Sequence, residues 1–81
     1  MTLKPDVRLD LRGTPCPINF VRTKLQLKKM APNEILEVWL DAGEPMEQVP
    51  DSLVMEGYVL ERTVEQAEGH FLLWVRCPVE G

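Results

Sequence analysis

A strand and a helix meet at residues 12–17, and the residues at that junction leave the chain few ways to fold. Val7, Leu9 and Leu11 alternate with Arg8 and Asp10, the period of two that puts apolar side chains on one face of a strand. Gly13, Thr14 and Pro15 break the run. Pro17 suits the first position of a helix, because its ring fixes φ and its missing N–H would have no intrahelical partner there. The helix is expected to reach about Met30. Lys28 and Lys29 oppose the negative end of its dipole, and Pro32-Asn33 stops it with Asn33 in a left-handed conformation. Phe20, Leu27, Met30 and Ala31 form one apolar stripe and Ile18, Val21 and Leu25 a second. The first faces a sheet. The second reads as the edge of a broad buried face, with a docking surface as the alternative.

The remaining segments extend the alternation. Ile35 to Asp41 is a strand with Leu36, Val38 and Leu40 on one side and Trp39 on the other. Ala42-Gly43-Glu44-Pro45 reads as a loop. A short helix falls within 46–56, interrupted or restarted at Pro50, with Gly57 in the left-handed position that ends it. Tyr58 to Glu65 and His70 to Cys77 are two further strands, joined by a hairpin loop at Gln66-Ala67-Glu68-Gly69. The order is βαβαββ. Two helices can cover only one side of four strands, so the fold class is α+β: a two-layer sandwich with a mixed four-stranded sheet and both helices on one face. One domain is expected over residues 7–81, after a loose N-terminus at 1–6.

Composition narrows the function. At 81 residues and 44% hydrophobic, the chain supports one small core. No apolar run approaches the roughly 20 residues of a membrane span, and the first six residues lack the apolar stretch of a signal peptide. Two cysteines in a fold that needs no staple suit a reducing compartment, so a cytoplasmic protein is expected. A net charge of −4 argues against direct nucleic-acid binding. That average hides an asymmetry. Residues 11–33 hold Arg12, Arg22, Lys24, Lys28 and Lys29, while all thirteen acidic residues lie elsewhere. The basic segment is read either as a solvated helix face or as a patch, including Arg22 and Lys24, that steers an acidic partner.

Cys16 sits within that segment. A cysteine at a helix mouth meets free N–H groups and the positive end of the dipole, and both favour a thiolate over the free thiol with its pKa of about 8.5. Pro15 and Pro17 stiffen the approach, and Arg12 and Gly13 shape the loop. The other uses of a cysteine lack their partners. The only histidine, His70, reads as a surface or hairpin residue rather than a catalytic base. Two cysteines about sixty positions apart and one histidine make no zinc set. No second cysteine lies three residues from Cys16, which excludes a thioredoxin-type dithiol, and there is no glycine-rich phosphate loop. Asp41, Glu44 and Glu47 read as a polar loop and helix start, so no metal is expected. Cys77 continues the Phe71, Leu73, Val75 row and reads as a buried hydrophobe. Trp39 and Trp74, opposite the apolar rows, are expected to be partly exposed. What remains for Cys16 is attack of a thiolate on sulfur, which needs no general base.

These residues carry a resemblance. Leu9-Asp10-Leu11-Arg12-Gly13-Thr14-Pro15-Cys16-Pro17 resembles the opening signature of the TusA/SirA-like sulfur-carrier family. The likeness continues in Leu36-Glu37-Val38, Asp41, Val49-Pro50 and Gly57-Tyr58, from about residue 8 to 76. It implies a fold like the C-terminal domain of a translation initiation factor. It also implies a sulfurtransferase in the carrier sense, needing no metal or organic cofactor. Cys16 would take persulfide sulfur from a cysteine desulfurase or rhodanese and pass it to an acceptor protein thiol, as in tRNA thiolation, cofactor assembly or sulfur metabolism. A monomer or weak dimer is expected.

One position departs from the family's Cys-Pro-x-Pro. Here the run is Cys16-Pro17-Ile18-Asn19. Asn19, expected at the third helical position and at the border of the docking surface, restores a backbone N–H and adds an amide able to reach back to the cap. A lower thiol pKa at Cys16 is the expected consequence. The competing reading is a regulatory or adaptor module in which Cys16 is redox-sensing or unused.

Overall fold

The computed structural model describes residues 4–15 and 17–78. The elements are β1 (Val7–Asp10), α1 (Ile18–Lys28), β2 (Ile35–Leu40), α2 (Glu44–Met55), β3 (Val59–Glu65) and β4 (Phe71–Arg76), in the expected βαβαββ order. The sheet order is β1-β2-β4-β3. β1 runs parallel to β2, with Leu9 opposite Val38, and β4 is antiparallel to both β2 and β3. Asp6 fastens the start of β1: its N–H donates to the Ile35 carbonyl at 2.7 Å and its carboxylate accepts the Ile35 N–H at 2.8 Å. Among the described residues no helix is long and apolar enough to cross a membrane.

One face of the sheet makes the core. Leu36, Val38 and Leu40 of β2 and Leu73 and Val75 of β4 are fully buried against Leu27 of α1 and Val49 and Leu53 of α2. Both helices therefore lie on the same side. Cys77 joins this core, 4% exposed, with its Sγ 3.7 Å from the Leu27 carbonyl oxygen. Burial pushes its thiol pKa up, with Glu34 and Asp6 adding to the effect.

α1 is shorter than expected: Pro17 is its N-cap rather than its first helical residue, and it stops at Lys28 with Lys29 as C-cap. Asn33 adopts the expected left-handed conformation, φ 71°, but in the turn that follows the helix rather than at its end. Gly57, at φ 95°, closes α2 with its N–H on the Val54 carbonyl and the Tyr58 N–H on the Leu53 carbonyl, the paired bonds of a Schellman cap. The start of α2 differs from expectation. The helix begins at Glu44, with Pro45 in its first turn, where a proline costs no hydrogen bond, and Glu44 and Glu47 facing the positive dipole end. Pro50 lies inside the helix rather than breaking it. Its neighbours Val49 and Leu53 are fully buried, and that packing outweighs the local penalty.

The two stripes of α1 resolve in an unexpected way. Asn19, Thr23 and Leu27 form the buried line, with Phe20 and Met30 packed against the core and Ala31 exposed. Ile18, Val21 and Leu25 are 50%, 48% and 55% exposed on the opposite side of the helix, so the broad buried face is not found. Two polar residues can line the core because they bond locally. The Thr23 hydroxyl donates to the Asn19 carbonyl at 2.8 Å, and the Asn19 Oδ1 accepts the Phe20 N–H at 2.7 Å.

Candidate functional site

Parallel pairing of β1 and β2 sets two βα connections side by side at the C-terminal ends of these strands, the usual place for a site in such an arrangement. The first connection is the motif loop. Leu11 extends the β1 ladder through its N–H to the Trp39 carbonyl at 3.0 Å and is buried. The chain then turns: the Thr14 N–H donates back to the Leu11 carbonyl at 3.0 Å, with Gly13 at φ 79° as the third residue of the turn. Only glycine takes that conformation without strain. Open space surrounds the place where a Cβ would stand, so backbone geometry alone asks for glycine here.

The second connection holds the first. The Gly13 N–H donates to the Asp41 carboxylate at 2.6 Å, a charge-assisted bond across the two loops. Between them lies an open groove of about 420 Å³, lined by Gly13, Thr14, Pro15, Asp41, Glu44 and Pro45. On the far side of residue 16, the Asn19 N–H donates to the Pro15 carbonyl at 3.1 Å and the Val21 N–H to the Pro17 carbonyl at 3.0 Å. A proline at position 19 would lack the first of these bonds. Cys16 itself lies outside the described residues. Its flanks are fixed: Pro15 and Pro17 are both exposed, and Pro17 caps α1 at φ −92° without a side-chain hydrogen bond.

The other sequence-predicted residues divide. Asn19 is the second helical residue rather than the third and is fully buried, so position 19 faces the core and does not border an outer docking surface. Arg12 is committed to Asp10 through Nε at 3.0 Å and Nη2 at 2.8 Å. That fork lowers the Asp10 carboxyl to about 2, so the pair stays ionised at neutral pH and loosens only as pH falls from about 3.8 toward that value. The Arg12 guanidinium also lies over the Trp39 ring, 4.7 Å from its centre, on the helix-free face of the sheet. Lys24 pairs with Glu56, the C-cap of α2, a partly exposed bridge between the helices. Arg22, Lys28 and Lys29 are exposed.

His70 differs from expectation. It precedes β4 but is 7% exposed, its ring 5.4 Å from that of Trp39. Sequence reasoning also passed over Glu37. Only 6% exposed, its carboxylate accepts both tryptophan N–H groups, Trp39 at 2.8 Å and Trp74 at 3.0 Å. The one available signal was a carboxylate two residues before a tryptophan in an otherwise apolar strand. A second cavity, about 500 Å³, lies at the other end of α1 beside Leu27, Met30, Tyr58 and Cys77, away from the motif loop.

Comparison with known proteins shows the family and the fold. The sequence model of the family described as "Sulfurtransferase TusA" matches residues 7–77. A protein of Thermotoga maritima named "Putative sulfur carrier protein" is 34% identical over 68 residues, covering 84% of this chain and 86% of that protein. The Escherichia coli K12 protein named "Putative sulfur carrier protein YedF" is 36% identical over 56 residues, covering 69% of this chain and 73% of its own. In fold, the crystal structure of a SirA-like protein from Desulfitobacterium hafniense superposes with a TM-score of 0.79 at 19% identity, covering 90% of this chain and 99% of that one.

Proposed function

The chain belongs to the sulfurtransferase TusA family, and from that premise we propose that it relays sulfur as a persulfide on Cys16. The observation that carries the reading is the bracing of the motif loop. Gly13 is tied to Asp41 and Asn19 to Pro15, so both flanks of Cys16 are held at the mouth of α1. A thiolate there attacks the outer sulfur of a donor persulfide. The donor's S–S bond breaks, the donor cysteine leaves as a thiolate, and the sulfur remains on Cys16 as S–SH. Attack by an acceptor thiolate on that outer sulfur repeats the exchange and restores Cys16. A cysteine desulfurase or rhodanese is the donor class, and a protein thiol the acceptor.

The partner docks on α1. Ile18, Val21 and Leu25 form an exposed apolar line that begins one residue after Pro17, with Arg22 beside it and Lys28 and Lys29 at its far end. A partner with an apolar seat and an acidic rim complements this face. Arg22 contributes directly to the basic edge. Lys24 contributes less, because Glu56 already neutralises it.

The test is sulfane sulfur measured by cyanolysis after incubation with a desulfurase and cysteine, or with rhodanese and thiosulfate. Wild type and Cys77→Ser are expected to hold sulfur, because the Cys77 thiol is buried with a raised pKa. Cys16→Ser is expected to hold none. Equal labelling of Cys16→Ser would overturn the assignment. Tight partner binding without any labelling of wild type would favour an adaptor.

A further inference from the structure

The helix-free face of the sheet carries a connected set of contacts that leads to the motif loop. Glu37 is at its centre. Its Oε2 accepts the Trp39 N–H from the same strand, and its Oε1 accepts the Trp74 N–H from the residue opposite on β4. Arg8 adds its Nε at 3.3 Å from Oε2. A nearly buried carboxylate engaged on both oxygens fixes the orientation of the Trp39 indole. His70 packs against that same ring.

Arg12 rests on the Trp39 ring while its guanidinium forks onto Asp10. It is also the first corner of the turn that Gly13 completes, four residues before Cys16. A long, flexible side chain is thus held from two directions, and its backbone N–H bonds Asp10 as well, at 3.1 Å. A cation over an indole is held by the ring's negative face, a modest attraction that biases one loop conformation without being needed for the fold.

We propose that Trp39 is a positioning residue for sulfur transfer: its ring, oriented by Glu37, holds Arg12 and with it the turn that leads to Cys16. The proposal rests on reading Cys16 as the working thiol. It assigns Arg12 a mechanical role, with its charge spent on Asp10 and Trp39 rather than offered to the sulfur.

The experiment measures the alkylation rate of Cys16 by iodoacetamide at fixed pH, from the mass of the Cys16 peptide, alongside a thermal melt. Trp39→Leu and Arg12→Gln are each expected to slow alkylation about threefold or more, and the double variant no further than the slower single, as expected for residues that act through one contact. Trp39→Phe keeps a ring under Arg12 but loses the N–H through which Glu37 orients it, and is expected to alkylate faster than Trp39→Leu and more slowly than wild type. Leu60→Ala, which thins the core from β3, lowers the melting temperature and leaves the rate unchanged. A wild-type rate in Trp39→Leu would overturn the proposal, as would equal slowing in Leu60→Ala. If Trp39→Leu does not fold, an unchanged rate in Arg12→Gln, an exposed residue, overturns it equally. The readout does not depend on sulfur loading. A wild-type protein that alkylates at Cys16 but takes no sulfur contradicts the carrier reading alone. A protein that loads while Trp39→Leu alkylates normally contradicts the positioning role alone.

Discussion

Placing two carboxylates on α1, as Val21→Glu with Leu25→Glu, is expected to slow sulfur loading from a protein donor roughly 10- to 100-fold, the scale of losing a central apolar anchor. Both side chains are about half exposed and lie opposite the buried Asn19, Thr23, Leu27 line, so folding should be little affected, within about 0.5 kcal/mol per site. The same variant should load normally from a small inorganic polysulfide, which needs no docking surface. Comparing the two donors separates recognition from chemistry. Unchanged loading from the protein donor would remove α1 as the docking face. Equal slowing with both donors would show that the acids act on the thiol instead.

Glu37→Leu has the largest expected effect on stability, a loss of about 3 kcal/mol in denaturant unfolding. A hydrogen bond to a charged group contributes about 1.5–3 kcal/mol, and Glu37 receives two from indoles that are only partly exposed. Leucine fills similar space but leaves both donors and Arg8 without their acceptor. Glu37→Gln keeps one carbonyl oxygen and turns an amide donor toward the other indole, so it should lose roughly half as much. For a small domain, 3 kcal/mol is a large share of the total stability of about 5–15 kcal/mol. A loss below about 1 kcal/mol in the leucine variant would mean that water replaces the carboxylate at both indoles.

The two regions, the outer face of α1 and the Glu37 cluster, also show where sequence reasoning stops. The strands, the Gly13 turn, Asn33, Gly57 and the buried Cys77 were legible because each depends on local φ preference or on a period of two. The start of α2 was not. Gly43-Glu44-Pro45 has the residues of a loop and equally those of a helix start, and Pro50 reads locally as a break until the burial of Val49 and Leu53 is known. In α1 the pattern misled because hydrophobicity was taken as burial. The Thr23 hydroxyl and the Asn19 Oδ1 bond within their own helix while both residues face the core, which leaves Val21 and Leu25 to face outward. The Glu37 cluster was hidden for another reason. Its link to Trp74 spans 37 positions and exists only through the β2–β4 register.

For the site, the motif loop and its location were readable from Gly13, Pro15 and Pro17. What braces the loop was not, because Asp41 and Trp39 reach it from β2 and the connection after it. Arg12 was read as a residue that shapes the loop, but the contacts that hold it, Asp10 and the Trp39 ring, were not visible in the sequence.

The central claim is that sulfur stays on this protein after its donor is gone. The measurement is intact mass, followed by peptide mapping, on protein incubated with a desulfurase and cysteine and then separated from both. A gain of about 32 Da is expected, confined to the Cys16 peptide and removed by a dithiol. No gain from a desulfurase or from rhodanese and thiosulfate, with each donor shown to be charged, would contradict it.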